Sequence, residues 1–246
     1  MMNSPLEQFE MKSLLTMNNM YMFSMSNYVL YLMLVSMMMM MYMVSLSKTK
    51  LMYNRWGLVM LSMYDTMLNM MKSQMGMRGG YYFPLMFTLF NFMLMANLMS
   101  MMPYTFAMSA QMVFMMSLSL TLWLGLTMLG FVNHGLNFFS LFVPTGTPLA
   151  LVPVLVLIET LSYSSRAISL GLRLSSNILA GHLTMLILGS LILSLMNSSL
   201  IGFSLGFIPI MGVIAIVILE FAISMIQAYV FCITLSGYLK DAIYLH

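Results

Sequence analysis

Residues 154–195 read VLVLIETLSYSSRAISLGLRLSSNILAGHLTMLILGSLILSL. Three formally charged residues interrupt this apolar run, Glu159, Arg166 and Arg173, and they are spaced by seven. Seven residues is nearly two helical turns, drifting only about 20° per step, so the three line one face of a helix. A second apolar stretch, 209–244, carries Glu220, Gln227, Thr234 and Asp241 at the same interval. As continuous helices the two would run about 63 Å and about 54 Å, against a hydrocarbon core about 30 Å thick. They are therefore steeply inclined, bent or broken, and Gly171, Gly181 and Gly189 are places where the first could break.

The rest of the chain fits the same solvent. Of 246 residues, 61% are hydrophobic and 6% are charged, whereas a soluble domain carries about a quarter charged. Such a surface cannot face water, so lipid is the solvent. The single Cys232 excludes a disulfide framework and a thiolate metal cluster, and reads as a small apolar filler. Three scattered histidines, His134, His182 and His246, are too few for haem ligation across helices. A net charge of +3, dispersed, gives no footprint for nucleic acid. No cofactor or metal is expected. Glu7 and Glu10 stand where a basic leader would begin, so no cleavable signal peptide is expected. The 37 methionines, including the run Met37 to Met41, replace leucine at little cost and read as compositional drift.

These patterns predict one all-α membrane domain over 1–246: an N-terminal segment (1–26), a first transmembrane helix (27–47), an amphipathic surface helix (51–75), a transmembrane hairpin (83–132), and the long pair 150–195 and 209–244. Within the hairpin, Pro103 ends the first span, and Asn133 to Pro148 reads as a loop. In the surface helix, Arg55, Ser62, Asp65, Asn69 and Lys72 recur near helical spacing. The segment after the first span holds Lys48, Lys50, Arg55, Lys72 and Arg78, and the N-terminal segment only Lys12. By the positive-inside tendency the N-terminus faces outside and the 48–82 segment inside.

Folding the long pair antiparallel about the 196–208 loop brings Arg173 near the depth of Gln227. His182 and Glu220 then meet on the outer side, and Glu159 and Asp241 on the inner side. Glu, Asp and His can take up and release protons, whereas arginine holds its proton to above about pH 12. The ladder therefore reads as two half-paths for protons, divided by a fixed positive charge. An arginine at mid-membrane costs about 2.5–3.5 kcal/mol on insertion scales, so a function is expected to require it. Arg166, nearer the inner boundary, has a static ion pair as an equal alternative.

The run Ser169-Leu-Gly-Leu-Arg-Leu-Ser-Ser-Asn-Ile-Leu-Ala-Gly-His182 resembles the signature of the F-type ATP synthase subunit a family. Leu219-Glu-Phe221 and Gln227-Ala-Tyr-Val-Phe231 are similar to a second family motif, and Ser4-Pro-Leu-Glu-Gln-Phe-Glu10 resembles the opening of the fungal mitochondrial form. The resemblance covers essentially the whole chain. It implies a polytopic helical fold with a long, inclined, antiparallel C-terminal helix pair that curves along a ring of proteolipid c subunits. It implies a proton-translocating stator subunit of the Fo sector in the mitochondrial inner membrane, with no catalytic site of its own, partnered by the c-ring and other stator and peripheral-stalk subunits. By the same resemblance Arg173 faces the ring carboxylates, and His182 and Glu220 form the inlet half-channel. Asn177 and Gln227 stand close to the arginine, and Glu159 and Asp241 form the matrix-side exit. Fungal relatives that remove a short leader cut before the serine matching Ser4, which only three residues precede here.

Two other functions compete. A proton-coupled secondary transporter would show inverted repeats around a midplane site, and no such repeat is visible. A purely structural respiratory-complex subunit would have no use for the ionisable ladder.

Overall fold

In a computed structural model the described residues are 9–15, 25–47, 55–102, 105–143, 148, 151–198 and 206–244. The Ser4-to-Gln8 part of the opening motif, Lys48, Lys50, residues 51–54 of the expected surface helix, Pro103, residues 199–205 of the expected loop and His246 lie outside them. Among the described residues six α-helices follow in order: α1 (Asn27–Ser47), α2 (Arg55–Met75), α3 (Phe83–Ser100), α4 (Met112–His134), α5 (Val152–Ser198) and α6 (Phe207–Ile243). Five of these, all but α2, are long and apolar enough to cross a membrane. The fold is all-α and polytopic, apart from a short antiparallel pairing of β1 (Ser13–Leu15) with β2 (Met25–Ser26) that the sequence pattern does not announce.

The helix ends follow from local chemistry. Pro84, Pro153 and Pro209 fall in the first turns of α3, α5 and α6, where the missing N–H would have had no intrahelical acceptor. Ser26 caps α1, its Oγ accepting from the Val29 N–H at 3.5 Å. Gly76 and Gly135 follow the last residues of α2 and α4 with φ of +60° and +56°, the left-handed conformation that closes a helix. After Gly135 the chain does not run on as an open loop. It winds into a 3-10 helix over Gly135–Phe142, because Phe138 and Phe142 are buried there, Phe138 against Gly130. Asn133 and His134 belong to the end of α4 rather than to a loop.

The helix hydroxyls are largely satisfied within their own turns. Thr160, Ser164, Ser165 and Ser169 each donate to the carbonyl three residues back. A hydroxyl treated this way tolerates an apolar medium.

α5 is one unbroken helix of 47 residues, which settles the question the glycines left open. Gly171 and Gly181 are points of close approach instead of breaks. A Cβ at Gly171 would lie 2.9 Å from the Met115 carbonyl oxygen of α4, and one at Gly181 would meet the Glu220 side chain.

The chain packs as two compact units. Unit 1 comprises 1–44, 91–112 and 174–228. Its buried residues include Val35, Met93, Ala96, Phe106, Leu174 and Ala228. Unit 2 comprises 45–90, 113–173 and 229–246. There α2 buries Met67, Met70, Met71 and Met75 while Asp65, Asn69 and Lys72 stay exposed, so the helix is amphipathic. Cys232 is buried, with Met86 beside it. Asn133 donates to the Ala242 carbonyl at 3.3 Å and His134 Nε2 to that of Ile243 at 3.2 Å. These two α4 side chains thereby cap the end of α6, whose last carbonyls have no partner within the helix.

Candidate functional site

In unit 1, α5 and α6 pack with Gly181 against Glu220. Beside this contact lies a cavity of about 30 Å³ lined by Asn97 and Met101, by Asn177, Ile178 and His182 of α5, and by Glu220, Ser224 and Gln227 of α6. That volume holds one or two water molecules. The structure thus brings together four residues the sequence singled out: His182, Glu220, Asn177 and Gln227. Leu174, which follows Arg173 in the chain, lines the same cavity.

The two titratable groups at this cavity are held differently. His182 is 3% exposed, and its Nε2–H donates to the backbone carbonyl of Ser100. A carbonyl can only accept, so the proton sits on Nε2 and Nδ1 is left as the second ring nitrogen. Glu220 is half-buried, but its Oε1 is shielded and has no hydrogen-bond partner among the described residues. Leaving such an atom unsatisfied costs about 1–3 kcal/mol, and a water in the adjoining cavity removes that cost.

Asn97 of α3 was not anticipated. It is 1% exposed, and its Nδ2 donates to the Ser224 carbonyl at 3.2 Å. That bond fixes the amide, leaving Oδ1 as a second buried acceptor without a partner among the described residues. Two such acceptors on residues that line a water-sized space make it a polar pocket inside an apolar helix bundle. Two asparagines, Asn91 and Asn97, interrupt the apolar run 83–102, and they were the available signal, since an amide buried there is costly unless it is hydrogen-bonded.

The other predicted residues lie in unit 2. Tyr163, Ala167 and Leu170 form a narrow buried stripe on α5. Glu159, Arg166 and Arg173 are exposed along its rim, with Ser162 and Ser169 between them. Around Tyr163 and Tyr238, whose rings meet edge-on at 4.8 Å, Arg166 and Asp241 are close enough to act electrostatically. The Tyr238 hydroxyl donates to the Tyr163 carbonyl at 3.0 Å, fixing α6 on α5 there. Glu159 stands one turn before Tyr163 and is exposed. Among the described residues no group of three or more His, Cys, Asp or Glu is placed to hold a metal ion.

A family model described as ATP synthase A chain matches residues 27–240. The chain is similar to curated proteins called ATP synthase subunit a. It is 65% identical to that of Debaryomyces hansenii over 246 residues, all of both chains. It is 58% identical to that of Candida albicans, again over all of both. To that of Saccharomyces cerevisiae it is 50% identical, over 99% of this chain and 96% of the other.

Proposed function

Since the chain belongs to the ATP synthase A chain family, we propose that its unit 1 cavity is the inlet of a proton path that Arg173 divides from an outlet. The chain is a multi-pass subunit of the mitochondrial inner membrane with a role in proton translocation. Membership displaces the alternative of a secondary transporter.

One observation carries the finer reading. His182 and Glu220, two titratable groups of unit 1, line one cavity with room for water. Protons pass through water and groups that can exchange them, so a titratable pair beside confined water is a working relay. Arg173 cannot join it, because it holds its proton throughout the working range. Its role is electrostatic: it favours ionised carboxylates on a passing ring and blocks direct transfer from inlet to outlet. Arg166, Asp241 and Glu159 form the outlet toward the matrix.

The partner follows from the exposed rim of α5. Charged groups on a helix that lipid surrounds must face protein or water. A c-subunit ring seated on Glu159, Arg166 and Arg173 supplies both, and the remaining stator and peripheral-stalk subunits cover other faces. At 47 residues α5 is about 70 Å long, more than twice the hydrocarbon thickness of about 30 Å, so it lies inclined along that ring.

Substituting Glu220 tests the relay. Glu220→Gln keeps size and polarity but cannot exchange protons. In vesicles reconstituted with the whole complex, under a fixed potential supplying about 2.3 kcal/mol per charge per 100 mV, it should lower proton flux at least about tenfold. Glu220→Asp should retain more flux than Glu220→Gln. Undiminished flux in both variants would leave Glu220 without a transport role.

A further inference from the structure

Phe9 and Glu10, the described residues of the opening motif, do not line the cavity. Phe9 nonetheless meets the inlet histidine. Its ring lies edge-on to His182, with centroids 6.1 Å apart and planes at 89°. Its backbone carbonyl accepts from Gln111 Nε2 at 2.7 Å.

These two contacts belong to a closed circuit. Gln111 follows the buried 3-10 turn Met108–Ala110. Within that turn Ser109 Oγ donates to Ser100 Oγ at 2.6 Å. The Ser100 carbonyl accepts from His182 Nε2, and His182 returns to Phe9. The segment is also held on its far side, where the Asn27 N–H donates to the Lys12 carbonyl at 3.0 Å and β1 pairs with β2. The exposed Lys12–Glu10 contact at 3.6 Å adds little.

We propose that Phe9 is a positioning residue for His182. Resting on the relay reading above, this assigns the N-terminal segment the task of closing the imidazole on one side. Phe9 excludes water from that side of the ring and holds its rotamer, so that Nε2 stays committed to Ser100 and Nδ1 remains for exchange with water or Glu220. An aromatic edge suits the task better than an aliphatic chain, because the contact orients the ring as well as covering it.

The test uses the assembled complex with Phe9→Ala, Phe9→Leu and Phe9→Tyr. Mass spectrometry reads deuterium exchange at the imidazole C2 of each histidine, and the same preparations report proton flux in vesicles. Phe9→Ala should speed exchange at His182 about two- to tenfold, the range that losing one aromatic pair allows, and should lower flux. Exchange at His134, which caps the end of α6, should not change. Phe9→Tyr should restore both His182 exchange and flux, and Phe9→Leu should restore them in part. If Phe9→Ala does not assemble, Phe9→Leu compared with Phe9→Tyr makes the same comparison. Unaltered His182 exchange would overturn the proposal, whatever the flux. Faster exchange with normal flux would also overturn it, since the ring would then be loosened without consequence. Neither result bears on whether Glu220 relays protons, which its own substitutions decide.

Discussion

Gly181 leaves the space that the carboxylate of Glu220 fills. A Cβ built at position 181 would coincide with the Glu220 side chain, Oε1 first. The obstructed atoms are the far end of a flexible side chain, so an added methyl would push the carboxylate aside rather than force the helices apart.

Stability and transport should therefore separate in Gly181→Ala. Alanine favours a helix interior over glycine by about 1 kcal/mol, so assembly should be unimpaired. Flux should fall toward the level of Glu220→Gln, because the carboxylate leaves its seat beside the cavity. Adding Glu220→Asp, one methylene shorter, should recover part of the loss. Thermal stability of the complex and flux in vesicles measure the two effects. A Gly181→Ala complex with normal flux would show that the seat does not matter.

The membrane orientation rests on the basic residues of the 48–82 segment. Lys50→Cys and Lys72→Cys should react with an impermeant thiol reagent from the matrix side, and Leu6→Cys from the intermembrane space. Cys232 is buried and should stay silent. Labelling in the reverse sense would exchange the inlet and outlet assignments.

How much of this was legible depends on how each feature is encoded. The helices were readable because length and continuous apolarity suffice to announce a span, and prolines mark three of the starts. The seven-residue ladder was readable because it repeats within one helix. Asn97 and Ser100 were not, since their partners are distant in sequence, Ser224 and His182, and neither belongs to a period. Phe9 was visible only as part of a family-like opening, with nothing to tie it to His182. Gly181 looked like a break because a glycine in a helix has two explanations, and only packing tells a hinge from a close approach. The turn 135–142 read as a loop because Asn and Gly outweighed the paired phenylalanines that bury it.

Arg173 tests the account most directly, through ATP-driven proton pumping by assembled complexes carrying Arg173→Ala or Arg173→Lys. Pumping should disappear in Arg173→Ala while the complex still assembles. Arg173→Lys should also be impaired, because lysine lacks the planar guanidinium and holds its proton less firmly. Near-normal coupled pumping by an assembled Arg173→Ala complex would contradict a dividing role for Arg173.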